Sequence, residues 1–165
     1  MSVVAIKSIG KGKFEIASDS IRVAGWFSQE KDKNGKLWKI GHMIMGTAGS
    51  CSIGSLLREY LENHQPKTNT EHGWVALMAD FTKHTSSLDS SLKVSENEFL
   101  VIWKNKAFFI HNFYVLEIKD YYAIGAGRDF AFATLYLNND VKKAIEVACE
   151  LSTFCEKPVK YMRSD

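Results

Sequence analysis

Apolar residues recur along the chain with two alternating periods, one typical of strands and one typical of helices. Segments rich in β-branched and aromatic residues predict strands. These segments are residues 2–9, 14–20, 36–40, 42–47, 98–103, 107–111, 115–118 and 121–124. Segments in which apolar residues recur every three to four positions predict helices. They run from Gly49-Ser50 to Gln65-Pro66, and over residues 71–84, 129–137 and 140–154.

The order of these elements predicts the architecture. Four strands are followed by two helices, and four more strands are followed by two more helices. Strand runs separated by helix pairs favour two packed sheets with helices on their outer faces. We therefore expect an α+β protein built as a four-layer αββα sandwich. A length of 165 residues fits one domain, residues 1–165, and no repeat or linker composition marks a boundary.

Turn residues refine the prediction for the N-terminal hairpin. Pairing Ser2 with Asp19 would centre this hairpin on Gly10-Lys11. A glycine at the first position of a two-residue turn suits type II′, so this turn type is predicted. Polar residues 31–35 predict a surface turn, and the serine-rich stretch 85–91 predicts a loop. Asp140 or Asn139 is the expected N-cap of the last helix.

Composition and charge narrow the classes of function. The net charge of +2, without a basic stripe interleaved with aromatics, argues against a nucleic-acid partner. No apolar run is long enough to span a membrane, and the first residues lack signal-peptide features. The three cysteines form no CxxC pair, which favours a reducing compartment, so we expect a cytoplasmic protein. The five histidines show no metal spacing.

Two groups of side chains are expected in the core. The cysteines are expected to be small core residues. An aromatic cluster is expected in the core or at a subunit interface; its members are Phe108, Phe109, Phe113, Tyr114, Tyr121 and Tyr122.

Five local motifs occur together, in one order. Ser2 follows the initiator methionine, the returning strand carries Ala17-Ser18-Asp19, and Lys36 precedes the apolar stretch Leu37-Trp38-Lys39-Ile40. Met43-Ile44-Met45-Gly46-Thr47-Ala48-Gly49-Ser50 leads into a helix, and Ala123-Ile124-Gly125-Ala126-Gly127 leads into another. In this order and spacing the chain resembles the proteasome β-subunit and HslV peptidases of the Ntn-hydrolase superfamily. Ala126 stands where that family often has serine, and residues 152–155 offer no carboxylate where it often has aspartate.

The resemblance implies a serine- or threonine-type N-terminal-nucleophile peptidase. Ser2 would be the nucleophile once Met1 is removed, and its α-amine would be the base, because a neutral fraction of such an amine exists near pH 7. Asp19 would orient Lys36 in a buried ion pair, and Lys36 would promote ionisation of the hydroxyl. The Gly49 N–H would stabilise the oxyanion.

The resemblance also implies partners. It predicts a homo-oligomeric ring, perhaps two stacked hexamers, that receives unfolded protein substrates from an AAA+ unfoldase. No cofactor is expected in this chain, and ATP would enter only through that partner ATPase. Read without a gap, however, the motifs place Met1 at the nucleophile's position. This alternative predicts a catalytically inactive ring subunit that serves as a scaffold or binding module.

Overall fold

Two antiparallel sheets lie face to face in the computed structural model of the chain, which describes residues 2–24, 28–31 and 36–164. Its strands are β1 (Val4–Gly10), β2 (Lys13–Ser18), β3 (Ile21–Ala24), β4 (Ser28–Lys31), β5 (Leu37–Ile40), β6 (Met43–Ala48), β7 (Glu98–Trp103), β8 (Lys106–His111), β9 (Tyr114–Ile118), β10 (Tyr121–Ile124) and β11 (Lys160–Arg163). Its helices are α1 (Cys51–Asn63), α2 (Glu71–Leu88), α3 (Arg128–Tyr136) and α4 (Val141–Leu151).

The strand order of the sheets is β10-β1-β2-β11 in one and β5-β6-β7-β8-β9 in the other, while β3 and β4 pair separately. Three apolar clusters fill the spaces between layers. One lies between α1, α2 and the five-stranded sheet, one between the two sheets, and one under α3 and α4. Successive residues of β1 alternate between the last two clusters, as the period of two in a strand requires. The predicted four-layer αββα sandwich is confirmed.

The N-terminal hairpin differs from its prediction in both turn and register. Lys11 and Gly12 form the turn, with φ of +54° and +72°, which is the type I′ pattern rather than type II′. A bulge between Ser8 and Gly10 shifts the pairing, so that Gly10 lies opposite Lys13. Asp19 donates its backbone N–H to the Val3 carbonyl at 3.2 Å. Val3, and not Ser2, therefore lies opposite Asp19, and the predicted pairing is wrong.

Several other boundaries also differ. α2 continues to Leu88, so most of the predicted loop at 85–91 is helical, with the Thr85 side chain fully buried. α4 ends at Leu151 rather than 154, and Asp140 is its N-cap, accepting from the Lys143 N–H at 2.8 Å. β3, β4 and β11 were not predicted. The predicted turn at 31–35 lies outside the described residues apart from Lys31, which ends β4.

The length and composition of the helices bear on membrane association. Within the described ranges, no helix combines the length and the apolar character that crossing a membrane requires.

Candidate active site

The predicted buried ion pair joins the ends of two elements from different sheets. Asp19 follows β2 and is fully buried, and Lys36 directly precedes β5 with 9% of its surface exposed. The Lys36 Nζ lies 2.5 Å from the Asp19 Oδ1. The apolar neighbours of Lys36 in β5 explain how its stem reaches the interior. The pair thus lies beneath the start of β1, as the sequence analysis predicted.

Backbone donors also fix the Asp19 carboxylate. Val3 N–H donates to Oδ1 at 2.9 Å, while Ile21 N–H and Glu156 N–H donate to Oδ2 at 3.3 and 3.4 Å. One carboxylate therefore links the starts of β1 and β3 to the segment after α4 and holds the ammonium of Lys36. Hydrogen bonds from backbone N–H groups to an ionised carboxylate are among the stronger ones in proteins.

Ser2 lies two residues before β1 and is 4% exposed. Its carbonyl accepts from the Gly127 N–H at 3.1 Å. Gly125, with φ of +87°, packs so closely on Ser2 that a side chain at position 125 would overlap the Ser2 carbonyl oxygen. The turn of residues 125–127 therefore needs glycine at its first position to hold the backbone of Ser2. Val3, the next residue, connects Ser2 to the ion pair through its bond to Asp19.

Both Ser2 and Gly49 line an open cavity of about 360 Å³. Its lining residues are Ser2, Ala48, Gly49, Ser95, Glu96, Glu98, His111 and Gly125. Gly49 precedes α1 with φ of +123°, and a side chain there would collide with the Glu96 carbonyl oxygen. The structure therefore forms two groups of predicted site residues: Ser2 and Gly49 line the same cavity, and Asp19 and Lys36 form the ion pair. Val3, which follows Ser2 and donates to Asp19, connects the two groups.

The cysteines divide by burial. Cys155 is buried, Cys149 is half-buried and Cys51 is exposed, so the expectation of three core cysteines is wrong for Cys51. Burial, reinforced by the charge of Asp19, raises the pKa of Cys149 to about 12 and that of Cys155 to about 11. Both therefore remain protonated near neutral pH and are poor nucleophiles. No group of three or more His, Cys, Asp or Glu residues suited to a metal ion occurs in the described part of the chain.

The members of the aromatic cluster also differ in burial. Phe108 and Phe109 are buried, and Phe109 stacks on the half-buried Tyr122 with ring centroids 4.6 Å apart. Phe113 and Tyr114 are exposed beyond the end of β8. The cluster is therefore partly core and partly surface.

Two residues of this site were missed by the sequence analysis. Asn97 and Glu98, at the start of β7, make hydrogen bonds to the turns at Gly49 and Gly125. A single polar residue at the start of an apolar strand has no distinctive local pattern, so only the register of β7 beside β6 could have revealed them.

Comparison with known proteins shows that solved structures of other proteins resemble this fold. No protein-family model and no curated protein sequence matches the chain. Thiobacillus denitrificans BPH superposes with a TM-score of 0.82 at 18% identity, over 98% of this chain and 96% of BPH. HslV from Trypanosoma brucei gives 0.69 at 19% identity, over 98% of both chains. Anbu (ancestral beta-subunit) from Yersinia bercovieri gives 0.71 at 14% identity, over 99% of this chain and 81% of Anbu.

These likenesses define the class of structure. The chain has the proteasome-like Ntn-hydrolase fold, the fold of the family that its motifs resemble. Identities of 14–19% show the fold alone, and the chemistry of the site must be argued from its residues.

Proposed function

We propose that this protein is an N-terminal-nucleophile peptidase that hydrolyses peptide bonds through an acyl-enzyme on Ser2. Removal of Met1 would free the α-amine of Ser2, which then acts as the general base. Lys36, oriented by Asp19, favours ionisation of the hydroxyl, and the Gly49 N–H stabilises the oxyanion of the tetrahedral intermediate. The same amine passes the proton to the leaving amine, and a water molecule then attacks the acyl-enzyme.

The observation that carries this proposal is the ion pair buried beneath the start of β1. Removing two charges from water costs several kcal/mol per ion, and apolar residues of similar size are often as stable in such a place. A role in stability alone is therefore a weak reason for burying Asp19 and Lys36. A fixed ammonium beneath the start of the chain, by contrast, can favour the ionised form of a serine hydroxyl there and so help the α-amine to activate it as a nucleophile.

The wider assembly follows from the family resemblance. We propose a homo-oligomeric ring that degrades unfolded proteins delivered by an AAA+ ATPase. One of the solved BPH structures is a complex with epoxomicin, which makes this compound the first inhibitor to try.

The hairpin register bears on a second candidate function. If Ser2 were the nucleophile, the sequence analysis expected it opposite Asp19, and Val3 lies there instead. The register therefore does not single out Ser2 as the nucleophile, and the alignment without a gap, with Met1 at the nucleophile's position, stays as the alternative. The protein would then be an inactive ring subunit that serves as a scaffold.

Mass spectrometry of the N-terminus and a fluorogenic peptide assay test the two functions together. We expect a chain that begins at Ser2 and an activity that Ser2→Ala abolishes while the fold is kept, because alanine retains the α-amine and lacks the attacking oxygen. Ser2→Thr should retain or raise the activity, and Ser8→Ala, on the same strand, is the matched control. A trimmed protein that is inactive alone and with its ATPase, and that epoxomicin does not modify or inhibit, would establish the scaffold instead.

A further inference from the structure

Asn97 fixes the turn that contains Gly49. Its side chain is fully buried, and its Oδ1 accepts from the Ser50 N–H at 3.0 Å. Its Nδ2 donates to the Ser50 carbonyl at 2.9 Å and to the Thr47 Oγ1 at 3.2 Å. Ser50 is the N-cap of α1 and makes no side-chain capping bond of its own. Asn97 therefore satisfies the Ser50 N–H at the start of this helix, and it adds a second hydrogen bond to the Ser50 carbonyl, which also accepts from the Gly54 N–H at 3.1 Å.

Glu98 fixes the other glycine turn. Its Oε2 accepts from the Gly125 N–H at 2.9 Å, and its Oε1 accepts from the Arg128 Nη1 at 3.4 Å. The Glu98 side chain is 20% exposed and lines the cavity beside Ser2. The turn that it holds includes Gly127, whose N–H binds the Ser2 carbonyl. The position of the Ser2 backbone therefore depends on the carboxylate of Glu98 through one intervening turn.

We propose that Asn97 and Glu98 are positioning residues that hold the two glycine turns on either side of Ser2. Adjacent residues in extended backbone direct their side chains to opposite sides, so two consecutive residues can reach both turns. This inference rests on the proposed function, because the turns matter for catalysis only if Ser2 attacks and Gly49 binds the oxyanion. An amide donor or nucleophile displaced by about 1 Å loses on the order of 100-fold in rate.

Steady-state kinetics of the assembled protein test the catalytic role. Glu98→Ala should lower kcat by about ten- to 100-fold and leave KM nearly unchanged, because the turns position the reacting groups rather than bind the rest of the substrate. Glu98→Gln, whose amide oxygen still accepts from the Gly125 N–H, should recover most of kcat. Glu117→Ala is the matched control, because its side chain is 21% exposed, is paired with Lys106 and contacts neither turn. A Glu98→Ala enzyme with the kcat of wild type, or with a change in KM alone, would overturn the proposal.

Residue-resolved amide hydrogen exchange tests the geometry without relying on activity. Glu98→Ala should speed exchange at Gly125, and Asn97→Ala should speed it at Ser50, each by about tenfold or more, while β8 and β9 keep their protection. If Asn97→Ala does not fold, Asn97→Leu serves instead, since leucine has a similar size and offers no acceptor for the Ser50 N–H. Unchanged exchange at both turns, or an equal rise throughout the chain, would contradict the inference. If the exchange changes as expected but the wild-type protein cleaves no peptide, the proposed peptidase function is wrong. Asn97 and Glu98 would then hold the two turns in place without a role in catalysis.

Discussion

At the scale of single residues, the Asp19 carboxylate holds several elements of the candidate site in place. Its carboxylate accepts from the Lys36 ammonium and from the backbone N–H groups of Val3, Ile21 and Glu156. The two members of the ion pair are therefore not equivalent. Without Lys36, the carboxylate keeps three hydrogen bonds, whereas without Asp19 a buried ammonium and three backbone donors lose their acceptor.

This asymmetry predicts unequal losses of stability. Asp19→Ala should lower the free energy of unfolding by on the order of 3–5 kcal/mol, and Lys36→Met should lower it by less. The double variant should lose less than the sum of the two, because neither charge is then left unpaired. Equilibrium urea unfolding measures all three. Lys83→Met, in an exposed pair with Asp80, is the control. A loss for Asp19→Ala no larger than for this control would show that the buried pair is not coupled to folding.

The cysteines provide a second prediction at this scale. The thiolate is the reactive form, and burial raises the pKa of Cys149 and Cys155 to about 12 and about 11. At pH 8 the exposed Cys51 should therefore react first with iodoacetamide, giving a single addition in the intact mass of the native protein. In denaturant, all three thiols should react. Rapid addition to Cys155 in the native protein would contradict its burial against Gly127.

At the scale of elements, the sequence predicted what depends on local periodicity and missed what depends on partners. The strands of the five-stranded sheet and both helix pairs were found because their apolar positions repeat over many residues. β11 was missed because Lys160–Arg163 is a short edge strand, and its partner among the described strands, β2, lies far away in the sequence. The hairpin register was wrong because the bulge near Ile9 adds a residue without a compositional signal.

The candidate site follows the same division. Asp19, Lys36 and Gly49 were proposed from short motifs that resemble those of the proteasome β-subunit and HslV family, and the predicted contact between Asp19 and Lys36 is present. Asn97 and Glu98 were missed because their roles depend on β7 lying between the turns at Gly49 and Gly125. Motif spacing reveals residues close to a turn or chain start, whereas supporting contacts from a distant strand require the assembled sheet.

The type I′ turn of the N-terminal hairpin leads to a prediction about β1 and β2. Lys11 has φ of +54°, a left-handed conformation that asparagine adopts more readily than lysine, and Asn-Gly is the preferred type I′ pair. Lys11→Asn should therefore raise the free energy of unfolding by a few tenths of a kcal/mol, up to about 1 kcal/mol. Thermal and urea unfolding midpoints measure this. Lys13→Asn, at an exposed position in β2, should instead be neutral or destabilising. A loss of stability in Lys11→Asn would argue for the type II′ turn instead.

At the scale of the whole molecule, α3 and α4 leave apolar side chains uncovered on the outer surface. An open groove of about 320 Å³ between them is lined mainly by Phe130, Ala133, Leu137, Val147 and Leu151. Tyr136, Leu137 and Leu151 are each more than half exposed. Large contiguous apolar patches on a monomer are uncommon and mark interaction surfaces. The ring proposed above supplies an occupant for this surface, namely the same helices of a second copy.

The last prediction concerns this surface. The wild-type protein should sediment as a species larger than the 18.6 kDa chain at micromolar concentrations. The double substitution Leu137→Lys and Leu151→Lys should shift it toward smaller species, because burying ammonium groups in an apolar contact costs more than the contact returns. Circular dichroism should remain that of the wild type, since both side chains are exposed in the single chain. Leu88→Lys, at a similarly exposed leucine that ends α2 on the opposite outer layer, is the matched control and should not change the assembly. If the double variant and this control both sediment like an assembled wild type, the copies do not meet through α3 and α4. If every form sediments as a single chain, self-assembly without a partner is refuted.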